Sequence, residues 1–160
     1  MKFSVEPDLQ FFEQFVNEIE PNKPIVMLNL LRFRDQADYE KHADSHAPCT
    51  GKAAYKRYAK SVLPLMLEVG GVPIWMGKVR QTVIAPAGEG WDEAFLVAYP
   101  SRQAFIKMVS TESYRTIMVH RTAALLDSRL IETHPKALPK SVLKLIGMGL
   151  KVKSWVFPRK

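Results

Sequence analysis

Asn29 is the one polar side chain in "IVMLNLL" (Ile25–Leu31), part of the run Lys23–Phe33, and Arg32 and Arg34 follow at the end of that run. His120 and Arg121 sit side by side in a helical pattern whose neighbours are apolar. Trp75 and Tyr99 fall in apolar, strand-like stretches, Tyr58 falls on the inward side of a helical one, and Arg129 lies in the short segment "DSRLIET". A polar group buried by such elements needs a partner. Gathered under one sheet, these residues would orient a small anionic or carbonyl-bearing compound. Guanidinium forks match carboxylates, an imidazole exchanges protons near neutral pH, and Tyr58, Trp75 and Tyr99 supply walls. The roles expected are His120 and Arg121 as catalytic residues, with Asn29, Arg32, Tyr58, Trp75, Tyr99 and Arg129 binding substrate. The structural alternative pairs Arg32, Arg34 and Arg129 with Asp35, Asp127 and Glu132 at strand ends and leaves Asn29 satisfying a backbone edge.

Other constellations carry less. In "DYEKHADSHAPC" (Asp38–Cys49), His42 and His46 stand four apart, so one helical turn would point both imidazoles at one metal ion, with Cys49 or Asp38 completing the site. No third ligand is defined and the segment is rich in solvated acids, so no metal and no cofactor are expected. Nothing beside Cys49 marks it as a nucleophile. The aromatic and basic residues of "AYKRYAKS" (Ala54–Ser61) separate at helical spacing, with Tyr55, Tyr58 and Val62 inward and Lys56, Arg57 and Lys60 outward, which is an amphipathic helix rather than a nucleic-acid surface.

The elements that must position these residues follow from periodicity. Helical spacing runs from Asp8 to Glu20. Lys23–Phe33 is a near-continuous apolar strand, and a helix follows from about Gly51 to the stop at Gly70-Gly71, with Pro64 expected to kink or divide it. "VPIWMGKVRQTVIA" (Val72–Ala85) reads as one long alternating strand, and "WDEAFLVAYP" (Trp91–Pro100) as its partner. Ser101 and Ser113 open two helical stretches, and Asp127–Thr133 closes the series as a short strand. After the first helix the order is strand, helix, strand, strand, helix, strand. That is the ferredoxin-like βαββαβ arrangement, an α+β fold with an antiparallel sheet and helices on one face. The other face is apolar and needs a cover, so a homodimer packed sheet against sheet is expected.

Five segments also carry a resemblance: "NLLRFRD" (Asn29–Asp35), "CTGKAAYKRYAKSVLP" (Cys49–Pro64), "GGVPIWMGKV" (Gly70–Val79), "WDEAFLVAYPSRQAFIKMV" (Trp91–Val109) and "SYRTIMVHRTAALLDSRLI" (Ser113–Ile131). Together they resemble the bacterial domain of unknown function 1330 family, of the dimeric α+β barrel superfamily, over roughly residues 24–133. The family implies no activity. The superfamily implies a cavity between sheet and helices, used elsewhere by cofactor-free monooxygenases, isomerases, polyketide cyclases and haem-degrading enzymes. A cofactor-free enzyme of monooxygenase, isomerase or cyclase type is what the resemblance implies, by analogy of fold. Arg121 is selected by the resemblance and by its apolar helical surroundings alike.

Charge placement excludes one class. The chain has 160 residues and a net charge of +7. Seven of the 23 basic residues lie from His134 onward, where there is no acid, leaving 16 basic against 16 acidic residues in the rest. A neutral body with a basic appendage is not a nucleic-acid-binding fold, whose charge spreads over one face. The tail alternates apolar and basic residues at helical spacing and ends in Trp155 and Phe157, the composition of an interfacial helix. Residues 1–133 therefore read as one domain and 134–160 as a basic amphipathic extension. The extension, through residues 136–160, is expected to pack on the dimer, to stay without fixed structure, or to meet a membrane surface or acidic partner. With a lone cysteine and no leader-like or membrane-spanning run, the expected location is the cytoplasm. The alternative function is a non-catalytic dimeric binding module acting through that tail.

Overall fold

The computed structural model describes residues 3–7, 9–17, 22–39 and 47–135. The segment with His42 and His46 and the tail 136–160 lie outside the described residues, as do Asp8 and residues 18–20 of the expected N-terminal helix. The elements are α1 (Leu9–Asn17), β1 (Ile25–Phe33), α2 (Gly51–Glu68), β2 (Val72–Lys78), β3 (Glu93–Tyr99), α3 (Arg102–Val109), α4 (Glu112–Ala124) and β4 (Leu125–Thr133). The strands form one sheet in the order β2-β3-β1-β4, each neighbour antiparallel. This is the ferredoxin-like α+β fold. It arises because each of the two βαβ halves splits to admit a strand of the other.

β1 is the centre of the sheet, which explains an apolar run on both parities. Ile25, Met27 and Leu31 are buried toward the helices. The alternate residues Val26, Leu28 and Leu30 occupy the opposite face and are half-buried. α2 starts where the Thr50 side chain accepts the Ala53 N–H at 3.2 Å. Gly51 is required there: a Cβ would collide with the backbone oxygens of Arg34 and Ala124. α3 and α4 are capped alike, by Ser101 accepting from Ala104 N at 3.2 Å and Thr111 accepting from Tyr114 N at 3.1 Å. α4 then runs into β4 without a loop, Ala124 being the last helical residue and Leu125 the first of the strand.

Of the kink or division expected at Pro64, division does not occur: Pro64 lies inside a continuous 18-residue α2. Two strand bounds are corrected. β2 ends at Lys78, not Ala85: opposite it β3 reaches back only to Glu93, and the last cross-link is Val79 N to Asp92 O at 2.9 Å. Beyond that point Val83 and Ile84 are 85% and 93% exposed. β4 begins at Leu125, two residues early, because Leu125 is already paired with Phe33 across a register shift that leaves Leu126 unpaired.

The helix-covered layer holds two apolar clusters. One gathers Ile25, Met27, Met66, Val97, Tyr99, Phe105 and Met108; the other gathers Leu31, Tyr39, Ala54, Ala123, Ala124 and Leu125. α1 joins the first through Phe15, which meets Phe105 edge-on at 6.0 Å and carries the Arg102 guanidinium 4.8 Å above its ring. The segment Phe3–Glu6 forms a strap along the β4 edge. Ser4 N donates to Asp127 Oδ1 and Ser128 N to Ser4 O, at 2.9 and 2.8 Å, and Val5 packs on the second cluster.

Candidate functional site

Between the two apolar clusters the layer turns polar. Asn29 stands at the midpoint of β1, opposite Phe95 on one side and Leu130 on the other. α2 brings Tyr55 and Tyr58 to the same side of the sheet, their rings 5.4 Å apart. α4 contributes Tyr114, whose hydroxyl accepts from Tyr58 at 3.2 Å. Tyr99 closes the β3 side, its ring edge-on to Phe105 at 5.3 Å. Arg121, two turns along α4 from Tyr114, sits close enough to Tyr55 and Tyr58 for its charge to be felt by both phenols.

The hydrogen bonding of this belt is incomplete. Among the described residues, the Tyr99 hydroxyl has no hydrogen-bond partner although its residue is only 5% exposed. The Tyr55 hydroxyl has none either, and the Asn29 amide makes a single bond, donated to Met27 O at 3.2 Å. Burial pushes the phenols of Tyr55, Tyr58 and Tyr99 well above their ordinary range, opposed at Tyr55 and Tyr58 by Arg121. All three are therefore neutral hydroxyls and potential donors at neutral pH. Burying a hydroxyl without a partner costs about 1–3 kcal/mol, so two in one belt are a feature for which packing gives no reason.

The expected set of site residues divides into three. Asn29, Tyr58, Tyr99 and Arg121 lie on the helix-covered side of the sheet, without a hydrogen bond or ring contact joining any two of them. Arg32, Trp75 and Arg129 lie on the opposite, helix-free face of the sheet. There Arg129 bonds Asp127 Oδ1 at 2.5 Å and stacks on Trp91 at 5.0 Å, while Arg32 donates to Gly88 O at 3.2 Å with Phe3 beneath it at 5.7 Å. His120 points away from the belt and its Nδ1 meets the Tyr39 hydroxyl at 3.0 Å, which also receives an Arg57 N–H at 3.3 Å. Of the ion pairs foreseen for the arginines only Arg129–Asp127 forms. Arg34 donates to Leu125 O and reaches Asp38, and Glu132 pairs with Arg102. Tyr55 and Tyr114 complete the belt. Helical spacing marked Tyr55 as inward but not as polar, and Tyr114 was not singled out.

Two surface depressions flank this layer. One, of about 660 Å³, lies between the end of α2 and the start of α3, beside Glu68, Ser101 and Lys107. The other, of about 460 Å³, is lined by Arg32, Phe33, Arg34, Asp35, Gln36, Asp92 and Leu126. Neither is lined by the belt tyrosines, but the second shares Phe33 with it: that ring rests on Tyr55 at 5.5 Å. Phe33 is thus the partition between the arginine-lined cleft and the belt. Among the described residues no cluster of three metal-ligating side chains occurs, and no helix is long and apolar enough to cross a membrane.

Comparison with known proteins adds the following. No family model matches the chain, and no curated protein matches it. The crystal structure of a protein of unknown function from Rhodopseudomonas palustris, RPA0582, superposes with a TM-score of 0.76 at 36% identity, covering 86% of this chain and 100% of that one. The methylated form of RPA0582 gives 0.76 at 38% identity over 86% and 98%. A dimeric protein of unknown function and ferredoxin-like fold from Bacteroides fragilis is far more distant, with a TM-score of 0.45 at 10% identity over 70% and 96%.

Proposed function

The chain belongs to the same family as the Rhodopseudomonas palustris RPA0582 protein, itself of unknown function, and we propose from its own residues that it binds a small anionic or carbonyl-bearing compound in the tyrosine belt between sheet and helices. One observation carries this reading: the buried Tyr99 hydroxyl has no partner among the described residues, and an oxygen acceptor on a ligand would satisfy it. The Tyr55 hydroxyl is likewise without a partner there. Neutral hydroxyl donors beside a fixed cation also stabilise a carbonyl oxygen as negative charge develops on it, so the belt suits a cofactor-free enzyme acting on such a compound. Arg121, Asn29, Tyr55, Tyr58 and Tyr99 would carry binding. His120, held by Tyr39, would take part only through a proton passed around the belt.

Thermal shift of the full chain against small aldehydes, ketones and carboxylates, alongside Tyr99→Phe, tests the reading. Compounds should raise the wild-type midpoint and raise that of Tyr99→Phe less. A panel that shifts neither protein, or both equally, would sink it.

The open sheet face supports a homodimer. Register places Ile131, Leu28, Leu96 and Trp75 in one row across all four strands, with Thr133, Val26, Ala98 and Val72 in the next. Trp75, Val72 and Ile131 are 48%, 49% and 45% exposed. Contiguous apolar rows on a sheet face call for a cover, and a second copy of the same face is the simplest. Trp75→Glu should give a folded monomer by sedimentation velocity; an unchanged mass would refute this assembly. The segments quoted above support placing the family with the domain of unknown function 1330 proteins, and the lone Cys49 fits a reducing, cytoplasmic setting. The alternative, a non-catalytic module whose tail meets a membrane or acidic partner, rests on residues 136–160, outside the described residues.

A further inference from the structure

Arg32 and Asp35 both line the cleft of about 460 Å³ at the end of β1, yet they do not pair with each other. Arg32 is drawn elsewhere: it donates to Gly88 O at 3.2 Å and lies over the Phe3 ring at 5.7 Å. Asp35 is exposed and makes no ion pair or hydrogen bond among the described residues. The other charges of the cleft are engaged. Arg34 donates to Leu125 O at 3.1 Å and faces Asp38 at 3.9 Å. Asp92 accepts the Phe33 N–H at 2.7 Å and is felt by Lys52, which pairs with Glu93 at 2.8 Å. One guanidinium and one carboxylate are thus left in a single cavity, each without a counter-ion among the described residues.

The backbone that carries them is tied down on both sides. Arg34 N donates to Ala124 O at 2.9 Å, Gly51 N to Arg34 O at 3.1 Å and Ala37 N to Cys49 O at 2.8 Å. Between Arg32 and Phe33 the pairing with β4 slips, and the unpaired Leu126 joins Phe33 as the apolar part of the lining. Such irregularities are frequent beside functional sites, where they re-aim side chains. We propose that this cleft binds a small zwitterion of the α-amino-acid type. Its carboxylate meets Arg32, its ammonium faces Asp35, and its apolar body rests on Phe33 and Leu126. A guanidinium has five N–H donors, so the bond to Gly88 O leaves enough for a two-point grip on a carboxylate. A simple anion would satisfy Arg32 and be repelled by Asp35; a simple cation would do the reverse. The volume suits a small molecule. The belt tyrosines do not line this cleft, so the proposal stands apart from the belt reading.

Phenylalanine, hydrocinnamate and phenethylamine share one apolar body and carry both charges, the negative one or the positive one. Calorimetric titration of the full chain with each at neutral pH isolates the inference. Phenylalanine should bind about tenfold tighter or better than either single-charge probe, because two charge-assisted contacts act together. Arg32→Gln should bring phenylalanine down to the phenethylamine level, and Asp35→Asn should bring it down to the hydrocinnamate level. Asp35 is exposed and Arg32 half-exposed, so both variants are expected to fold. Tyr99→Phe, in the belt, should leave all three affinities unchanged. Hydrocinnamate binding as tightly as phenylalanine to the wild-type chain overturns the proposal, and so does an absence of phenylalanine binding. Phenylalanine affinity lost in Tyr99→Phe but kept in Arg32→Gln would put the ligand in the belt, which overturns the cleft and supports the belt reading.

Discussion

The two faces of the sheet break the usual rule of burial in opposite senses. The helix-covered face, where apolar side chains would pack most cheaply, holds Asn29, four tyrosines and Arg121. The face without helices, where polar residues would be expected, displays rows built from Leu28, Leu96, Trp75 and Ile131. We read the first departure as the proposed ligand site and the second as the proposed dimer face, because each leaves groups that the chain alone does not satisfy. The arginines follow the same division. Those on the open face are met by a carboxylate, a backbone carbonyl or an aromatic ring, whereas Arg121 under the helices faces only neutral groups.

Alkaline pH should separate the faces most strongly, since the buried phenols are all on one side. Tyr55, Tyr58 and Tyr99 have folded-state pKa values raised above those of the unfolded chain. Their contribution is thus fully present below the unfolded pKa of about 10 and is lost as pH rises through and above it. At about 1.4 kcal/mol per unit for each phenol, stability should fall by about 4 kcal/mol near pH 11. Urea unfolding at stepped pH, with phenolate absorbance followed in parallel, checks this. Phenolates appearing in the still-folded protein near pH 10 would show the belt to be wet.

Leu31→Ala, at a fully buried position in the covered layer, should cost about 3 kcal/mol in chemical denaturation. Leu28→Ala, three residues back and on the other face, should cost less in a dissociated monomer and weaken the dimer instead. Equal losses at the two positions would mean that the open face is already covered within one chain. Within the belt, Tyr58→Phe breaks the bond to Tyr114 and should destabilise by about 1 kcal/mol. Tyr99→Phe removes a hydroxyl that has no partner and should be neutral or stabilising by up to about 1 kcal/mol, while lowering ligand affinity. Opposite signs for two buried tyrosines would identify which one is kept for binding. The smallest effect belongs to the surface: Lys52→Ala, breaking an exposed pair with Glu93 at 2.8 Å, should leave the thermal midpoint unchanged within error.

Much of this was legible in the sequence, and the failures have physical causes. The order of elements followed from periodicity and turn residues, because alternation and helical spacing report burial directly. The length of β2 did not: Val79–Ile84 alternates like a strand, but a strand exists only where a neighbour reaches, and β3 begins at Glu93. Four residues of the belt were picked out as polar or aromatic groups on apolar elements. Asn29 and Arg32 were grouped although three positions along a strand put them on opposite faces. Trp75 was harder, since the irregularity between Pro73 and Trp75 shifts its parity. Tyr55 read as an inward helical residue and no more, because whether a hydroxyl finds a partner is a tertiary fact. Adjacent His120 and Arg121 diverge because successive helical residues point about 100° apart.

The loopless passage from Ala124 to Leu125 restricts how this family can diverge. Arg34 N bonds Ala124 O and Asp38 N bonds Ala123 O, both at 2.9 Å, so the joint is stitched on the side opposite the strap. Inserting one residue there would exchange the faces of every β4 side chain, sending Asp127 and Arg129 to the helix side and Ser128 away from Arg121. Descendants of this sequence can lengthen freely between Val79 and Asp92, where the backbone has few ties, but the spacing from Arg121 to Ser128 is expected to stay at seven residues throughout the lineage.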